Sequence, residues 1–404
     1  MHVCMIAYTF YEEDNRVMRY SEALAGRGDK VDVIAASKPG QPQFEVINGV
    51  RVFRLQAREK NEKHPLTYLM RILQFLFRAF FVVTAKHTRE RYDIVHVHSV
   101  PDFLVFAALV PRLTGSRVIL DIHDLLPELY ASKFGVGTSS ALCKSLQLVE
   151  HLSASFSHHV IAPNHIWRNK LAQRSVAGTR CSVFMNYPDP SIFSPRGRSR
   201  DDSKIILLYP GTLNWHQGLD IAIRAFAENA ALFPNSEFHI YGEGPEKQNL
   251  IQLASELQLE HRVLFRASRP LREIAAISEN SDLGIIPKRS DGFGNEAFST
   301  KSLEFMALGV PIIITDTKVD KYYFNSDVVT FCASGSVGNL AAAMRRLMES
   351  EAIRREQALK ATQFVEGYSW KTKQGEYLGL VDQLVDKAAP ACLSIDEPTP
   401  DEAH

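Results

Sequence analysis

Short apolar runs alternate with amphipathic stretches along the first half of the chain. The stretch VMRYSEALAGRG has the spacing of a helix that ends at residues 26–28. The predicted strands are MHVCMIAY, which starts at residue 1, and then VDVIAAS, DIVHVHS, RVILDIHD and HHVIAPN. Short apolar strands separated by helices predict a parallel sheet with helices on both faces. Ligands of such sheets bind beyond the carboxyl ends of the strands, which places Asp121, His123, Asp124 and Asn164 at the binding edge.

Residues 188–203 are rich in proline, serine and charge and have no hydrophobic periodicity, so they are predicted to be a linker. The same alternation then restarts, which predicts a second doubly wound domain. We predict this order along the chain: an N-terminal Rossmann-like domain over 1–187, the linker over 188–203, a C-terminal Rossmann-like domain over 204–370, a helix over 371–388 that packs back on the N-terminal domain, and a disordered tail over 389–404.

Composition narrows the function classes. A chain of 404 residues, 45% of them hydrophobic, suits two domains better than one core. Lys plus Arg and Asp plus Glu each number 46, so the formal net charge is zero and nucleic acid is not an expected partner. The five cysteines are scattered without a CxxC pair, which argues against a disulfide framework or a zinc site. The start of the chain does not have the pattern of a secretory signal, and we expect a cytoplasmic protein.

One segment outside the strands, Leu66 to Lys86, is strongly apolar but is interrupted by Arg71, Gln74 and Arg78 at helical spacing. Two arginines argue against a membrane-spanning helix. Two interpretations remain. The helix is either an amphipathic one packed on its own domain, or a basic, aromatic-rich helix that rests on the inner membrane surface, with Phe75, Phe77, Phe80 and Phe81 at the acyl boundary.

The segment DGFGNEAFSTKSLEFMALGVPIIIT, from Asp291 to Thr315, is the most informative for chemistry. Ser299 is predicted to cap a helix that Gly309 and Pro311 terminate. A glycine-containing loop thus leads into a helix N-terminus, where free N–H groups and a partial charge of about +0.5 favour phosphate. Glu296 and Glu304 lie on either side of that helix start, with seven residues between them.

Further motifs surround this segment in a fixed order. HIYGEGP places Gly242 and Gly244 directly after a strand, and YPGTLNWHQG opens the second domain with a similar turn. The N-terminal half contributes HVHSVPD, LDIHDLLPE and VIAPN followed by FMNYPDPSIFSP. Together with the spaced glutamates and the following E-x-M-A-x-G-x-P, these motifs resemble the retaining glycosyltransferases of family 4. The resemblance covers nearly the whole chain and implies the GT-B fold, with two Rossmann-like domains facing a central cleft.

The resemblance also implies roles for individual residues. Glu304 would bind the donor ribose, Glu296 would contact hydroxyls of the transferred sugar, and His123 would reach that sugar from the first domain. The nucleotide and its diphosphate would be held by residues of three loops: Gly211, Thr212, Gln217, Gly242, Gly244, Phe298, Ser299 and Thr300. A buried core histidine is the alternative for His123.

The chain departs from the family at one point. Family members usually carry an arginine and a lysine that neutralise the leaving diphosphate, and the aligned positions here are Thr212 and Gln217, both neutral. A developing diphosphate anion needs positive charge. Lys301 in the first helical turn is the predicted replacement and is counted as catalytic, with Lys288, Arg289 and a protonated His216 as second choices.

We therefore expect a metal-independent retaining glycosyltransferase that has no cofactor and takes a nucleoside-diphosphate sugar as donor. Its acceptor would be a glycan or a lipid-linked sugar in cell-surface polysaccharide or glycolipid assembly. The alternatives are a sugar-nucleotide epimerase of the same fold and a non-catalytic partner of another transferase. The chain has no GxSxG, HExxH or P-loop motif, which argues against a hydrolase, a zinc protease and a P-loop kinase.

Overall fold

A computed structural model describes residues 1–58 and 65–386. The chain divides into two compact units. Among the described residues, unit 1 contains residues 1–186 and 374–386, and unit 2 contains residues 187–373. The predicted tail over 389–404 lies outside the described residues.

The first unit is built on one eight-stranded sheet in the order β3-β4-β2-β1-β5-β6-β7-β8. Every pair is parallel except β3 with β4. Its strands are β1 His2–Phe10, β2 Lys30–Ser37, β3 Phe44–Ile47, β4 Val50–Ala57, β5 Ile94–His98, β6 Arg117–Asp121, β7 His159–Ala162 and β8 Cys181–Val183. Its first six helices are α1 Asn15–Gly26, α2 Pro65–Arg89, α3 Leu109–Leu113, α4 Leu126–Phe134, α5 Ala141–Phe156 and α6 His165–Arg174.

The second unit has a six-stranded, fully parallel sheet in the order β11-β10-β9-β12-β13-β14. Its strands are β9 Ile205–Pro210, β10 Ser236–Tyr241, β11 Val263–Arg266, β12 Leu283–Ile286, β13 Ile312–Thr315 and β14 Thr330–Cys332. Its helices are α7 Leu219–Ala230, α8 Lys247–Glu256, α9 Leu271–Glu279, α10 Thr300–Ala307, α11 Lys318–Tyr323, α12 Val337–Glu349 and α13 Glu351–Val365. Two parallel α/β units are thus present, as the alternation of strands and helices predicts.

The last described helix, α14, covers Trp370–Val385. Its Tyr377 is fully buried, stacks on Tyr20 of α1 with ring centroids 4.2 Å apart, and has its hydroxyl 3.0 Å from His96 Nδ1. The C-terminal helix therefore belongs to the core of the first unit from Gln374 onward.

Helix α2 has one face packed on its own unit and an opposite face with exposed aromatic side chains, so features of both sequence interpretations are present. Ile72, Phe75, Ala79 and Val83 recur at helical spacing and are buried in the first unit. Phe77 and Phe81 are 61% and 67% exposed on the opposite side. The prediction that all four phenylalanines reach outward is therefore wrong for Phe75, which packs on Tyr8 at a centroid distance of 5.0 Å.

Candidate active site

The loop that leads into α10 is fixed by its own backbone and by α11. The backbone N–H of Gly294 donates to Asp291 Oδ1 over 2.9 Å, and Asn295 N–H donates to the Asp291 carbonyl over 2.9 Å. Asn295 in turn accepts from the N–H groups of Lys318 and Val319 at the start of α11. The chain therefore enters α10 from a constrained direction.

Helix α10 begins with unused hydrogen-bonding groups. Ser299 occupies the N-cap position, as predicted, but its side chain makes no capping bond. Its Oγ is buried and has no hydrogen-bond partner among the described residues. Within the same described part of the chain, no acceptor lies against the backbone N–H groups of Phe298, Ser299 and Thr300. A buried hydroxyl and several N–H donors at a helix N-terminus form a site that suits an anion.

Lys301 lies between this helix start and the loop after β9. Its Nζ is 5.2 Å from the centroid of the Tyr209 ring. Its side chain covers Gly211 so closely that a side chain at Gly211 would overlap Lys301 Cε. Burial lowers the pKa of Lys301, while Glu304 one turn further along α10 raises it and Lys288 lowers it. The structure thus brings Lys301, Ser299, Glu304 and Gly211 together. The sequence predicts the helix and the loop that carry these residues, but it does not predict the contact between them.

The two spaced glutamates occupy different surroundings. Glu296 is half-buried in the loop and lies 3.7 Å from Lys318 Nζ. Glu304 is half-buried in the second turn of α10 and acts electrostatically on Lys301. Phe298 packs edge-on against Tyr323, with ring centroids 5.0 Å apart, which fixes the loop directly before the helix.

The glycines after β9 and β10 bring two loops together. A side chain at Gly242 would overlap the carbonyl oxygen of Gly211, and one at Gly244 would overlap that of Leu213. The N–H of Gly211 donates to Tyr241 over 2.8 Å and the N–H of Leu213 donates to Glu243 over 2.9 Å. Glycine is needed at these positions because the two backbones cross so closely. The sequence prediction gave these glycines only the role of lining a pocket.

Thr212 and Gln217 lie in the first of these loops. Thr212 is exposed and its carbonyl accepts from the Tyr209 hydroxyl over 2.9 Å, while Gln217 is half-buried in a short 3₁₀ turn. Gly218 follows at φ 68°, and a side chain there would overlap the Pro287 carbonyl. Neither Thr212 nor Gln217 carries a charge, so the predicted diphosphate site would have to take its cation from another residue.

The second-choice candidates for positive charge are either held in ion pairs or disfavoured in their protonated form. Lys288 is buried and its Nζ lies 2.8 Å from both Asp320 Oδ2 and the Ala297 carbonyl. Arg289 donates to both carboxylate oxygens of Asp220, at 2.9 and 2.7 Å, and stacks on Trp215. Burial lowers the pKa of His216, against a smaller opposite effect of Asp291, so a protonated His216 is disfavoured at neutral pH. Of the lysine and arginine candidates, Lys301 alone has no carboxylate ion pair within the described residues.

His123 follows β6 and is part of a buried polar cluster in the first unit. Its Nε2 is 3.4 Å from Asp121 Oδ2 and 3.3 Å from His98 Nδ1. The side chain of His123 is 22% exposed, whereas Asp121 and His98 are buried. His123 is therefore neither a surface residue nor a fully buried core histidine. Its Nε2 faces the cluster.

Arg16 compensates the buried charge of Asp121. Its Nε and Nη2 donate to the two carboxylate oxygens over 2.7 and 2.6 Å. Burial alone would raise the pKa of Asp121, but Arg16 and then His123 hold it well below its usual range. His96, His98 and Asp121 place possible metal-ligand atoms within 4.8 Å of one another. Because Arg16 already binds both carboxylate oxygens and His96 bonds Tyr377, the geometry favours a hydrogen-bonded cluster.

The other predicted residues at this edge have different surroundings. Asn164 caps α6, since its Oδ1 accepts from the Trp167 N–H over 2.8 Å, so it has a structural task that the sequence prediction did not include. Asp124 is half-buried, and burial raises its pKa to about 6. Asp102, which the sequence prediction did not select, is buried after β5, and burial followed by Glu150 raises its pKa to about 7.

Comparison with known proteins shows what the two units resemble. A domain model described as "Glycosyl transferase 4-like domain" matches residues 14–186, and one described as "Glycosyl transferases group 1" matches residues 193–364. A human subunit of phosphatidylinositol N-acetylglucosaminyltransferase is 26% identical over 322 residues, which are 78% of this chain and 62% of that protein. The match thus spans less than two thirds of the human protein. Glycogen synthase of Mycobacterium tuberculosis is 25% identical over 378 residues, covering 88% of this chain and 87% of the synthase.

Solved structures agree on the fold. Sucrose-phosphate synthase from Thermosynechococcus elongatus aligns with a TM-score of 0.79 at 18% identity, covering 95% of this chain and 99% of that one. Anabaena HepE in complex with UDP-glucose aligns with a TM-score of 0.72 at 14% identity, covering 94% and 99%. The architecture of two parallel α/β units is therefore that of the GT-B glycosyltransferases.

Proposed function

Because the chain belongs to the group 1 glycosyltransferases and has their GT-B fold, we propose that it transfers a sugar from a nucleoside-diphosphate sugar to an acceptor hydroxyl with retention of configuration, as in family 4. One observation carries the donor assignment. The start of α10 presents a buried Ser299 hydroxyl and backbone N–H groups that have no hydrogen-bond partner among the described residues, and the Lys301 ammonium lies beside them. A diphosphate satisfies all of these groups at once.

The donor contacts follow from this placement of the diphosphate. The N–H groups of Phe298, Ser299 and Thr300 hold phosphate oxygens, and Lys301 neutralises the leaving group across Gly211. Glu304, one turn along α10, accepts hydrogen bonds from the ribose hydroxyls. A second group of residues completes the proposed site: Glu296 and His123 on the transferred sugar, and Thr212, Gln217, Gly242 and Gly244 in the loops around the nucleotide. Solved neighbours with UDP and with UDP-glucose support a nucleotide-sugar donor.

Retention is proposed without an enzyme nucleophile. The sugar reacts on the face from which the diphosphate leaves, and the departing phosphate helps to take the acceptor proton. The chain's own groups then supply positive charge and hydrogen bonds to the developing anion, which is the largest electrostatic change in the reaction. We expect this chemistry to proceed without a metal ion or cofactor.

Replacing Glu304 by alanine should weaken binding of the bare nucleoside diphosphate. The ribose would lose a charged acceptor, and such a hydrogen bond contributes about 1.5–3 kcal/mol. Isothermal titration calorimetry measures the change directly. Glu356→Ala is the matched control, because Glu356 is an exposed glutamate of α13 that pairs with Lys360. Equal affinity of Glu304→Ala and wild-type protein would show that Glu304 does not bind the nucleotide.

Two rival functions differ in what they do to the donor. A sugar-nucleotide epimerase of the same fold would convert the donor in the absence of any acceptor. A non-catalytic partner would bind the donor and turn over none of the acceptors offered. Incubation of the donor alone, followed by chromatography of the nucleotide sugar, separates the first case from a transferase. Donor binding without transfer across a panel of acceptors would support the second.

The acceptor is proposed to be a glycan or a lipid-linked sugar used in polysaccharide or glycolipid assembly. The names of two relatives support those acceptor classes, since one specifies phosphatidylinositol and the other glycogen. A cytoplasmic enzyme that works on lipid-linked sugars must reach the membrane surface. We propose that α2 provides this contact through its exposed Phe77 and Phe81.

A further inference from the structure

Three connections of the first unit lie on one face of its sheet. The chain crosses from β4 to β5 through α2, from β5 to β6 through residues 102–113, and from β6 to β7 through α4 and α5. All three crossings run in the same direction across the strand order, and right-handed crossovers then place them on the same side. Both α2 and α5 pack directly against residues 102–108. The outer sides of these elements form one continuous surface, which we term the docking face.

The docking face carries most of the exposed large hydrophobic side chains of the first unit. Those on α2 are 45–67% exposed and comprise Leu69, Met70, Phe77 and Phe81. Those on α3 and α5 are 41–71% exposed and comprise Leu109, Leu113, Leu142, Leu148 and Leu152. Leu148 and Leu152 are one turn apart on α5, so they project from the same side of that helix. An apolar surface that extends over three elements marks an interaction site.

The exposed charges along α2 and across residues 94–156 have one sign. The sequence of α2 contains no aspartate or glutamate. Across residues 94–156, all of which the structure describes, no aspartate or glutamate is exposed. Glu128 and Glu150 are buried and paired with Arg174. Exposed cations remain, namely Arg78 and Arg89 on α2 and Lys133 and Lys144 on α4 and α5. Such a face is complementary to a surface that is apolar inside and anionic at its boundary.

The position of the apolar residues also fits access to the site. Helices that follow parallel strands start at the carboxyl edge of the sheet. Leu69 and Met70 lie in the first turns of α2, and Leu142 lies in the first turn of α5. They therefore lie toward the edge where His123 follows β6. A partner bound to the docking face would present its acceptor near that edge.

From these observations we infer that the docking face binds an anionic lipid bilayer, and that α5 inserts Leu148 and Leu152 into it as a second contact beside α2. Membrane binding does not depend on the transferase activity, and only the identity of a lipid-linked acceptor rests on the proposed function. Helix α2 is long and apolar enough to cross a membrane by length and composition. Its buried stripe of Ile72, Phe75, Ala79 and Val83 instead fixes it on its own domain, which favours a helix lying in the interface.

Vesicle binding tests this inference. The double variant Leu148→Ser with Leu152→Ser should bind vesicles of phosphatidylcholine and phosphatidylglycerol at least about tenfold more weakly than wild-type protein, since two leucines lose their burial in the acyl boundary. The matched control is Leu232→Ser with Leu359→Ser, because these leucines of the second unit are 58% and 62% exposed. Lys133→Gln with Lys144→Gln should lower binding to the anionic vesicles and leave binding to pure phosphatidylcholine unchanged.

A spectroscopic readout separates insertion from loss of folding. In Leu148→Trp protein, tryptophan emission should shift to the blue on addition of anionic vesicles and be quenched by brominated lipid, while Leu359→Trp should show neither change. Vesicle binding of the α5 double variant at the wild-type level would overturn the inference. Sedimentation equilibrium that shows a dimer lost in the α5 variant, without any vesicle binding of wild-type protein, would assign the face to self-association. Binding of nucleoside diphosphate by each variant is measured in parallel, so failure of the donor site is distinguished from failure of membrane binding.

Discussion

Lys301→Ala should lower turnover by roughly 10²–10³, the range seen when one preorganised group that stabilises developing charge is removed. The Lys301 ammonium at the start of α10 lies against Gly211. Beside it are the N–H groups and the Ser299 hydroxyl that have no partner within the part of the chain that the structure describes. A cation at a helix N-terminus is locally unfavourable because it meets the positive end of the dipole. That cost is offset when a diphosphate anion lies between the ammonium and the helix.

The other lysine and arginine candidates are already held in ion pairs, so they are not expected to take the place of Lys301. Lys288 is buried against Asp320, and Arg289 is held by Asp220. Lys301→Arg should keep part of the activity, since it retains the charge with a different geometry. Lys321→Ala is the matched control, because Lys321 is 58% exposed on α11 and pairs with Asp316. Steady-state kinetics with saturating donor measures all three variants, and wild-type turnover in Lys301→Ala would refute the assignment.

The protonation of Lys301 gives this prediction a pH signature. Burial lowers the pKa of Lys301 in the free protein, so the ammonium loses its proton at a lower pH than an exposed lysine would. Affinity for the nucleoside diphosphate should therefore fall as the pH rises through that lowered pKa. In Lys301→Arg, the guanidinium stays charged and this decrease should disappear.

Asp121→Asn should reduce the free energy of unfolding by about 3–5 kcal/mol, as expected when one partner of a buried ion pair is removed. The variant leaves the Arg16 guanidinium buried without the Asp121 carboxylate. In the wild-type protein, Arg16 donates hydrogen bonds of 2.7 and 2.6 Å to the two oxygens of that carboxylate. Since the pKa of Asp121 is held well below its usual range, its contribution is complete at neutral pH and is lost only as the pH falls through that depressed value. Urea denaturation at neutral pH measures the loss.

Two control variants separate the stability of this cluster from catalysis. Asp327→Asn should change stability by less than about 1 kcal/mol, because Asp327 is an exposed partner of Lys360. His123→Ala should keep its stability and its affinity for the bare nucleotide, since His123 is partly exposed and is proposed to contact only the sugar. Its turnover should fall. An Asp121→Asn protein as stable as wild-type would show that Arg16 finds another partner.

The two-unit fold could be predicted because it depends on local hydrophobic periodicity. Strands such as β5 and β6 are short, apolar runs, and their boundaries follow closely from sequence. The β3–β4 hairpin was missed although its turn residues, Asn48 and Gly49, both have positive φ and form a typical hairpin signal. Helices α4 and α5 were also missed in the sequence prediction.

The candidate site was predictable only in part. The segment around α10 is contiguous, so its motif identifies Glu296, Lys301 and Glu304 together. The cluster around His123 is not contiguous, because Arg16 and Asp121 are 105 residues apart and His96 and Tyr377 are 281 residues apart. No local spacing indicates such contacts. The close crossing of the loops at Gly211 and Gly242 likewise depends on the pairing of β9 with β10.

The most direct test of the central claim is a thermal-shift measurement of the purified protein with a panel of nucleoside-diphosphate sugars. A ligand present at a hundred times its dissociation constant adds about 2.7 kcal/mol of stability, which is a measurable rise in melting temperature. We predict that at least one nucleotide sugar and its nucleoside diphosphate raise the melting temperature of wild-type protein, and that both shifts shrink in Glu304→Ala and Lys301→Ala. The absence of any shift in melting temperature of the wild-type protein would contradict a nucleotide-sugar site at α10. Shifts in both variants as large as those of the wild-type protein would contradict it as well.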